Sequence, residues 1–212
     1  MRLLGSLRSP YVRKVRVVAA ETGLLDRITL EVCAVHLAEA APEVMALNPL
    51  GKIPTLIDGD QVIFDSLVIC DYLAGKAGRT DLMPQAMPAR LEVLRTHALG
   101  DGLLDLCIMR LVERAKQPER IWPEVMTATA AKIGATLDHL NATRERLDAQ
   151  GCTVGTLTIG VALGYLDFRF GDLDWRAGRR NLADWYADLS ERPALRQNPF
   201  VDAAPTLAGK VR

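Results

Sequence analysis

Three short stretches of this chain bring together residue types that can do chemistry. In "SLRSPYVRKV", residues 6–15, Ser9 precedes Pro10 and a run that mixes Val with Arg and Lys. A helix starts this way, because a Ser oxygen accepts from an orphan N–H and a proline at the first helical position has its φ preset. On the residues alone Ser9 is a cap. In "NPLGKIPTL", residues 48–56, turn residues lead through an X-Pro step into a strand. Pro54 has no N–H for a ladder, so it belongs at a strand's beginning or edge. A cis Ile53–Pro54 bond would turn the N–H and C=O of Ile53 toward a groove, where an extended peptide-like ligand can pair as an added strand. The residues alone favour the plainer alternative, a trans-proline loop without a ligand, since most X-Pro bonds are trans. In "FDSLVICDYL", residues 64–73, Asp65-Ser66 stands at another helix start. The N–H groups of such a helix end and the Ser hydroxyl make an anion site, and the carboxylate beside them accepts from an ammonium. An amino-acid head group carries both charges and satisfies both. The plainer alternative is again an N-cap.

Short elements must position these stretches. "MRLLG" and "RITLEVCAV" are compact apolar or alternating runs and predict strands. Between them, apolar residues at 11, 12, 15, 18 and 19 mark one face of a helix that Gly23 ends. "PTLID" and "QVIF" flank Asp58-Gly59-Asp60, a hairpin signal, and a helix follows from Ser66. The order is β-α-β, a connecting segment, then β-β-α. Residues 78–90 carry two prolines and little periodicity and predict a linker. Beyond it the pattern is helical over 90–116, over 122–149, over the almost wholly apolar 153–169, and over "RRNLADWYADLSERP". The expected architecture is α/β plus all-α, with a first domain at 1–79, a linker at 80–88 and an all-helical domain at 89–212.

The bulk numbers exclude several classes of partner. The chain has 212 residues, 26 basic and 26 acidic, and is 49% hydrophobic. No basic face is implied, which argues against nucleic acid. No apolar run is long enough to span a bilayer, and "MRLLGSLRSP" lacks the core of a signal peptide. The four cysteines are far apart, without C-x-x-C, and the three histidines are scattered, so neither a disulfide framework nor a metal site is expected. Free thiols of this kind suit a reducing cytoplasm. His36, His97 and His139 are expected to be surface or packing residues, since none pairs with a cysteine or acid at ligand spacing, Trp122, Trp175 and Trp185 to be core, and Cys70 to be a buried apolar residue.

Ser9-Pro10, the Asn48–Leu56 run and Asp65-Ser66 occur in the order and spacing of the glutathione S-transferase family, and the resemblance covers essentially the whole chain. The first half resembles the family's thioredoxin-like domain and the second its helical-bundle domain. "TLTIGVALGYLDFRF" and "LADWYADLSERPALRQNP" look like its core and closing helices. The signature Ser-Pro-aromatic-x-Arg-Lys is most similar to bacterial, serine-type members.

The resemblance implies an enzyme that activates the glutathione thiolate for attack on a small hydrophobic electrophile. Ser9 would hydrogen-bond the glutathione sulfur, and Arg13, one turn on, would add to the field. Ile53, held by a cis-Pro54, would pair with the cysteinyl backbone. Lys52 would lie near the glycyl carboxylate, and Asp65 and Ser66 would hold the γ-glutamyl end. In a homodimer, Asp101 of "LGDGLLDL" would reach the γ-glutamyl amine from the partner subunit. The electrophile is expected between the halves, against Leu7, Tyr11, Leu104 and Ile108. Glutathione is the co-substrate, and no metal is called for. A thiol ordinarily titrates near pH 8.5, so a hydroxyl donor and a helix N-terminus that favour the thiolate raise the reactive fraction at neutral pH. Two other activities fit the same residues: glutathione-dependent disulfide reduction or peroxidase chemistry, and a non-catalytic interaction module. One departure concerns stability. Position 156 is Thr where relatives carry Asp, which is expected to weaken the capping box begun by Thr153 and to make Thr156→Asp stabilising.

Overall fold

The computed structural model describes residues 1–36 and 39–202. The described residues form two compact units, one from Met1–Met83 together with residues 193–202, the other from Pro84–Arg192.

The first unit is built on strands β1 (Arg2–Gly5), β2 (Thr29–Val32), β3 (Thr55–Asp58) and β4 (Gln61–Phe64), with helices α1 (Pro10–Glu21), α2 (Pro42–Met45) and α3 (Ser66–Lys76). The sheet order is β2-β1-β3-β4. β1 pairs with β2 in parallel, as a β-α-β crossover requires, and β3 runs antiparallel to both β1 and β4. This is a thioredoxin-like arrangement. Glycines do the local work in three places. Gly23 and Gly78 stand just past α1 and α3 with φ of +69° and +67°, and the N–H groups of Leu24 and Arg79 return to Ala19 and Ala74 at 2.8 and 2.9 Å. These are Schellman endings. Gly59, φ +58°, supplies the left-handed residue of the two-residue hairpin loop. Leu3, Leu56, Val12, Val15, Ile69 and Leu73 are fully buried, so sheet and helices close on one apolar core.

The second unit holds α4 (Met87–Arg114), α5 (Pro123–Ala142), α6 (Arg144–Gln150), α7 (Val154–Arg169) and α8 (Arg180–Ser190). Every residue of α7 from Val154 to Leu166 is buried, as its composition requires. α4 begins inside the expected linker, at Met87. The segment expected as one helix over 122–149 breaks at Thr143, whose φ and ψ are −113° and 22°. Trp122 is 61% exposed rather than core, while Trp175 and Trp185 are buried. The helical domain expected through 212 differs too. The chain leaves the second unit at Arg192, and α9 (Pro193–Arg196) packs on α1 of the first. Residues 203–212 of that expected domain lie outside the described residues.

The capping box of α7 is complete, contrary to expectation. The Thr156 N–H donates to Thr153 Oγ1 at 3.2 Å and the Thr153 N–H to Thr156 Oγ1 at 2.9 Å. The Thr156 hydroxyl in turn donates to the Gly151 carbonyl at 2.7 Å. A hydroxyl both accepts and donates, and a carboxylate only accepts. Asp at this fully buried position would face the Gly151 oxygen without a proton. Thr156→Asp is therefore expected to destabilise, by about 1–3 kcal/mol in thermal unfolding at neutral pH, with Thr156→Ser close to the parent. The deficit should narrow in acid, where a protonated carboxyl can donate again.

Candidate functional site

The register of the sheet gathers the three chemistry-bearing stretches. Leu4 of β1 stands opposite Thr55 of β3, and Thr55 opposite Phe64 of β4. From this one rung the chain leads to the Ser6–Ser9 loop after β1, back to Ile53-Pro54 before β3, and on to Asp65-Ser66 after β4. All three therefore leave the same end of the sheet, on adjacent strands. Strands lie about 4.8 Å apart, so β1 to β4 spans about 10 Å, close to the length of an extended tripeptide. Gly5 brings the first of these loops close in. A Cβ there would stand 2.6 Å from Val12 Cγ2, so only glycine lets α1 approach the end of β1 this closely.

Ser9 is the N-cap of α1, with extended φ and ψ of −78° and 126°. Its Oγ accepts from the Val12 N–H at 3.3 Å, and its carbonyl from the Arg13 N–H at 3.0 Å. Capping uses the hydroxyl as an acceptor, so this bond leaves its proton to donate elsewhere. Ser9 is half-buried, and its N–H is tied back to the Ser6 carbonyl at 3.0 Å.

The Ile53–Pro54 bond is cis, as the resemblance implies and against the reading of the residues alone. β3 begins at Thr55, so the backbone of Ile53 lies beyond the last rung of either ladder. The Lys52 side chain is exposed at the tip of this loop. Asp65, not Ser66, caps α3. Its Oδ1 accepts from the Leu67 N–H at 2.7 Å, and its φ of +63° is one that non-glycine residues rarely adopt. Ser66 is the first helical residue and is 5% exposed.

Arg13 is held by the chain around and after α9. Its Nε donates to the Asn198 carbonyl at 2.7 Å and its Nη2 to the Leu195 carbonyl at 3.3 Å, while the guanidinium lies 4.4 Å from the centre of the Phe200 ring. Arg16 Nε donates to Asn198 Oδ1 at 3.0 Å. Two arginines one turn apart on α1 thus clasp the chain after α9, and the Val201 N–H reaches the Leu7 carbonyl at 3.3 Å. Arg13→Met should lower stability by about 1–3 kcal/mol, since it leaves carbonyls around buried Asn198 without donors. Thermal unfolding checks this.

Of the residues expected against an electrophile, Leu7 and Tyr11 are half-buried in the first unit and Ile108 is half-buried on α4, whereas Leu104 is fully buried and offers no surface. Asp101, on α4, lies beside His97. His97 is 4% exposed and its Nε2 lies 4.0 Å from Asp101 Oδ1, so this histidine does meet an acid. The i,i+4 spacing is the signal that would have found it. His36 and His139 are exposed. Cys70 and Cys107 are buried, and burial pushes the Cys107 thiol up to about 12, which removes it from thiolate chemistry. Among the described residues no group of His, Cys, Asp or Glu side chains could hold a metal ion, and no helix is long and apolar enough to cross a membrane.

Comparison with known proteins adds to this geometry. Residues 8–76 match the family model described as glutathione S-transferase, N-terminal domain. Glutathione S-transferase 3 of Zea mays is 42% identical over 208 residues, 93% of this chain and 92% of its own. The uncharacterized GST-like protein YibF of Escherichia coli is 29% identical over 92% of this chain and 96% of its own. A glutathione transferase family member from Pseudomonas fluorescens Pf-5, solved with bound glutathione, superposes with a TM-score of 0.89 at 36% identity, over 93% of this chain and 98% of that one. The same Pseudomonas protein was also solved with S-(propanoic acid)-glutathione, and that structure gives a TM-score of 0.85 at 37% identity over 95% and 100% of the two chains.

Proposed function

This chain belongs to the glutathione S-transferase family, and from that premise we propose that it is a serine-type glutathione transferase that conjugates glutathione to small hydrophobic electrophiles. The observation that carries the reading is the rung Leu4–Thr55–Phe64. It aligns a hydroxyl at a helix start, a backbone segment just outside the ladders of a central strand and a carboxylate-serine pair over the length of one tripeptide.

Each part has a chemical task on this reading. The Ser9 proton is donated to the glutathione sulfur while its lone pair keeps α1 capped. The positive end of α1 acts on the same thiolate. Ile53 pairs through its backbone with the cysteinyl residue. The Ser66 hydroxyl and the N-terminus of α3 receive the γ-glutamyl carboxylate, and the Asp65 oxygen outside the cap accepts from the γ-glutamyl ammonium. Lys52 lies on the side of the glycyl carboxylate. Leu7 and Tyr11 offer apolar surface to the electrophile. The working form is a homodimer, in which Asp101 of the partner subunit adds a second acceptor for the ammonium. Conjugation is favoured over disulfide reduction because no cysteine stands at position 9 to hold a mixed disulfide. The solved Pseudomonas relative carries a glutathione thioether, which is the chemical type of such a product.

The test is the ultraviolet thiolate absorbance of bound glutathione, titrated against pH. A thiol pKa well below that of free glutathione supports the reading. Binding with an unshifted thiol overturns the Ser9 mechanism, and absence of binding overturns the function.

A further inference from the structure

The motif around Ile53 contains two buried polar side chains for which neither capping nor catalysis has a use. Asn48 is 2% exposed and Thr55 is fully buried. Both turn toward a single atom, the carbonyl oxygen of Lys52. Asn48 Nδ2 donates to it at 3.0 Å and Thr55 Oγ1 donates to it at 3.1 Å. Asn48 Nδ2 also lies 3.3 Å from Thr55 Oγ1, so the two side chains brace each other. The rest of Asn48 organises the turn that brings Lys52 there. Its Oδ1 accepts from the Leu50 N–H at 3.1 Å, its carbonyl from the Gly51 N–H at 2.8 Å, and its own N–H donates to the Val44 carbonyl at 2.7 Å. Gly51, with φ of +62°, supplies the left-handed step.

The gripped oxygen belongs to the peptide unit whose nitrogen is that of Ile53. A trans peptide is planar, with C=O and N–H pointing in opposite directions. Two donors that hold the Lys52 oxygen inward therefore aim the Ile53 N–H outward, away from Asn48 and Thr55. We propose that Asn48 and Thr55 are positioning residues for substrate binding, which fix the direction of the Ile53 N–H that meets the glutathione backbone. This rests on the assignment of glutathione to the backbone of Ile53. The pair touches no substrate. It acts by holding one peptide plane, so its loss costs affinity for the tripeptide and leaves the thiol chemistry at Ser9, on a different loop, unchanged.

Thr55→Val and Thr55→Ser separate this from a role in packing. Val keeps the shape and removes the hydroxyl, and Ser keeps the hydroxyl and removes the methyl. Affinities for glutathione and for S-methylglutathione, which has no thiol to ionise, are measured by calorimetry together with the pKa of the bound thiol. Thr55→Val should bind both ligands about three- to tenfold more weakly, the worth of one ordinary hydrogen bond, with the bound-thiol pKa unmoved. Thr55→Ser should bind them as the parent does. Asn48→Asp, which sets an acceptor against the Lys52 oxygen, should lose at least as much as Thr55→Val. Unchanged affinity in Thr55→Val, whatever its melting temperature, overturns the proposal, as does a Thr55→Ser variant as weak as Thr55→Val. A parent protein that binds neither ligand overturns the underlying assignment instead, and that result is read without any variant.

Discussion

Replacing Ser9 with alanine should raise the pKa of bound glutathione by about one to two units, because a hydrogen bond to a charged group is worth about 1.5–3 kcal/mol and one unit corresponds to 1.36 kcal/mol. At neutral pH, kcat/KM should then fall about ten- to thirtyfold, in proportion to the thiolate fraction lost. The sign fixes the shape of the pH profile. A stabilised thiolate keeps the parent active to lower pH, so the variant's acidic limb moves upward and the two profiles converge in alkali, where even an unassisted thiol is ionised. Two further variants separate chemistry from capping, since the same oxygen accepts from the Val12 N–H. Ser9→Gly removes the hydroxyl at a cost in cap stability of only a few tenths of a kcal/mol. It should reproduce the kinetic defect with little thermal loss. Ser9→Asp caps as well as serine but presents an acceptor to the sulfur, and should be stable and less active still. Equal thiol pKa values in the parent and Ser9→Gly would remove Ser9 from the mechanism.

What the sequence made legible is what depends on neighbours in the chain. The glycines after α1 and α3 end those helices by the local mechanism their spacing suggests, and the Gly59 hairpin forms where its turn residues stand. The order of strands followed from short alternating runs separated by one helix or one turn. Illegible features were those in which one atom has two uses or a partner lies far along the chain. Thr156 did not look like half of a capping box because the usual partner is a carboxylate or amide, yet its hydroxyl accepts from Thr153 and also donates to Gly151. Thr143 carries no proline or glycine to announce that a helix stops. Nothing local to Arg13 or Arg16 points to Asn198, more than 180 positions away, and only the fold brings it under both guanidinium groups. Asp65 and Ser66 were both plausible caps, and the positive φ of Asp65 settles which one turns the chain into α3. The candidate site was legible as three motifs. That they share one end of the sheet is a property of register, which no single motif contains.

The largest stability effect is expected at the crossing of α4 and α7, where two glycines bring helix backbones together. A Cβ on Gly155 would stand 2.6 Å from the Val93 carbonyl oxygen and 3.0 Å from Thr96 Cβ. One on Gly100 would stand 2.9 Å from both Ile159 N and Thr158 C. These obstacles are largely backbone, so no side-chain rotation relieves them and the helices must separate. Separation of even 0.5–1 Å forfeits a quarter to a half of the dispersion attraction across the contact. α7 is buried along its length from Val154 to Leu166, so the loss spreads through the core of the second unit. Alanine gains about 1 kcal/mol over glycine in helix propensity, which offsets part of the cost. The net destabilisation expected for Gly155→Ala or Gly100→Ala is about 2–4 kcal/mol, the upper end of overpacking effects. Gly102 is the internal control, on the same helix with nothing within 4 Å of its would-be Cβ. Gly102→Ala should keep the propensity gain and raise stability by about 0.5–1 kcal/mol. Thermal unfolding of the three variants decides the matter. If Gly155→Ala and Gly100→Ala melt with Gly102→Ala, the close approach of α4 and α7 is not what holds this unit together. If they melt well below it, two hydrogen-for-methyl positions set the separation on which the helical unit depends.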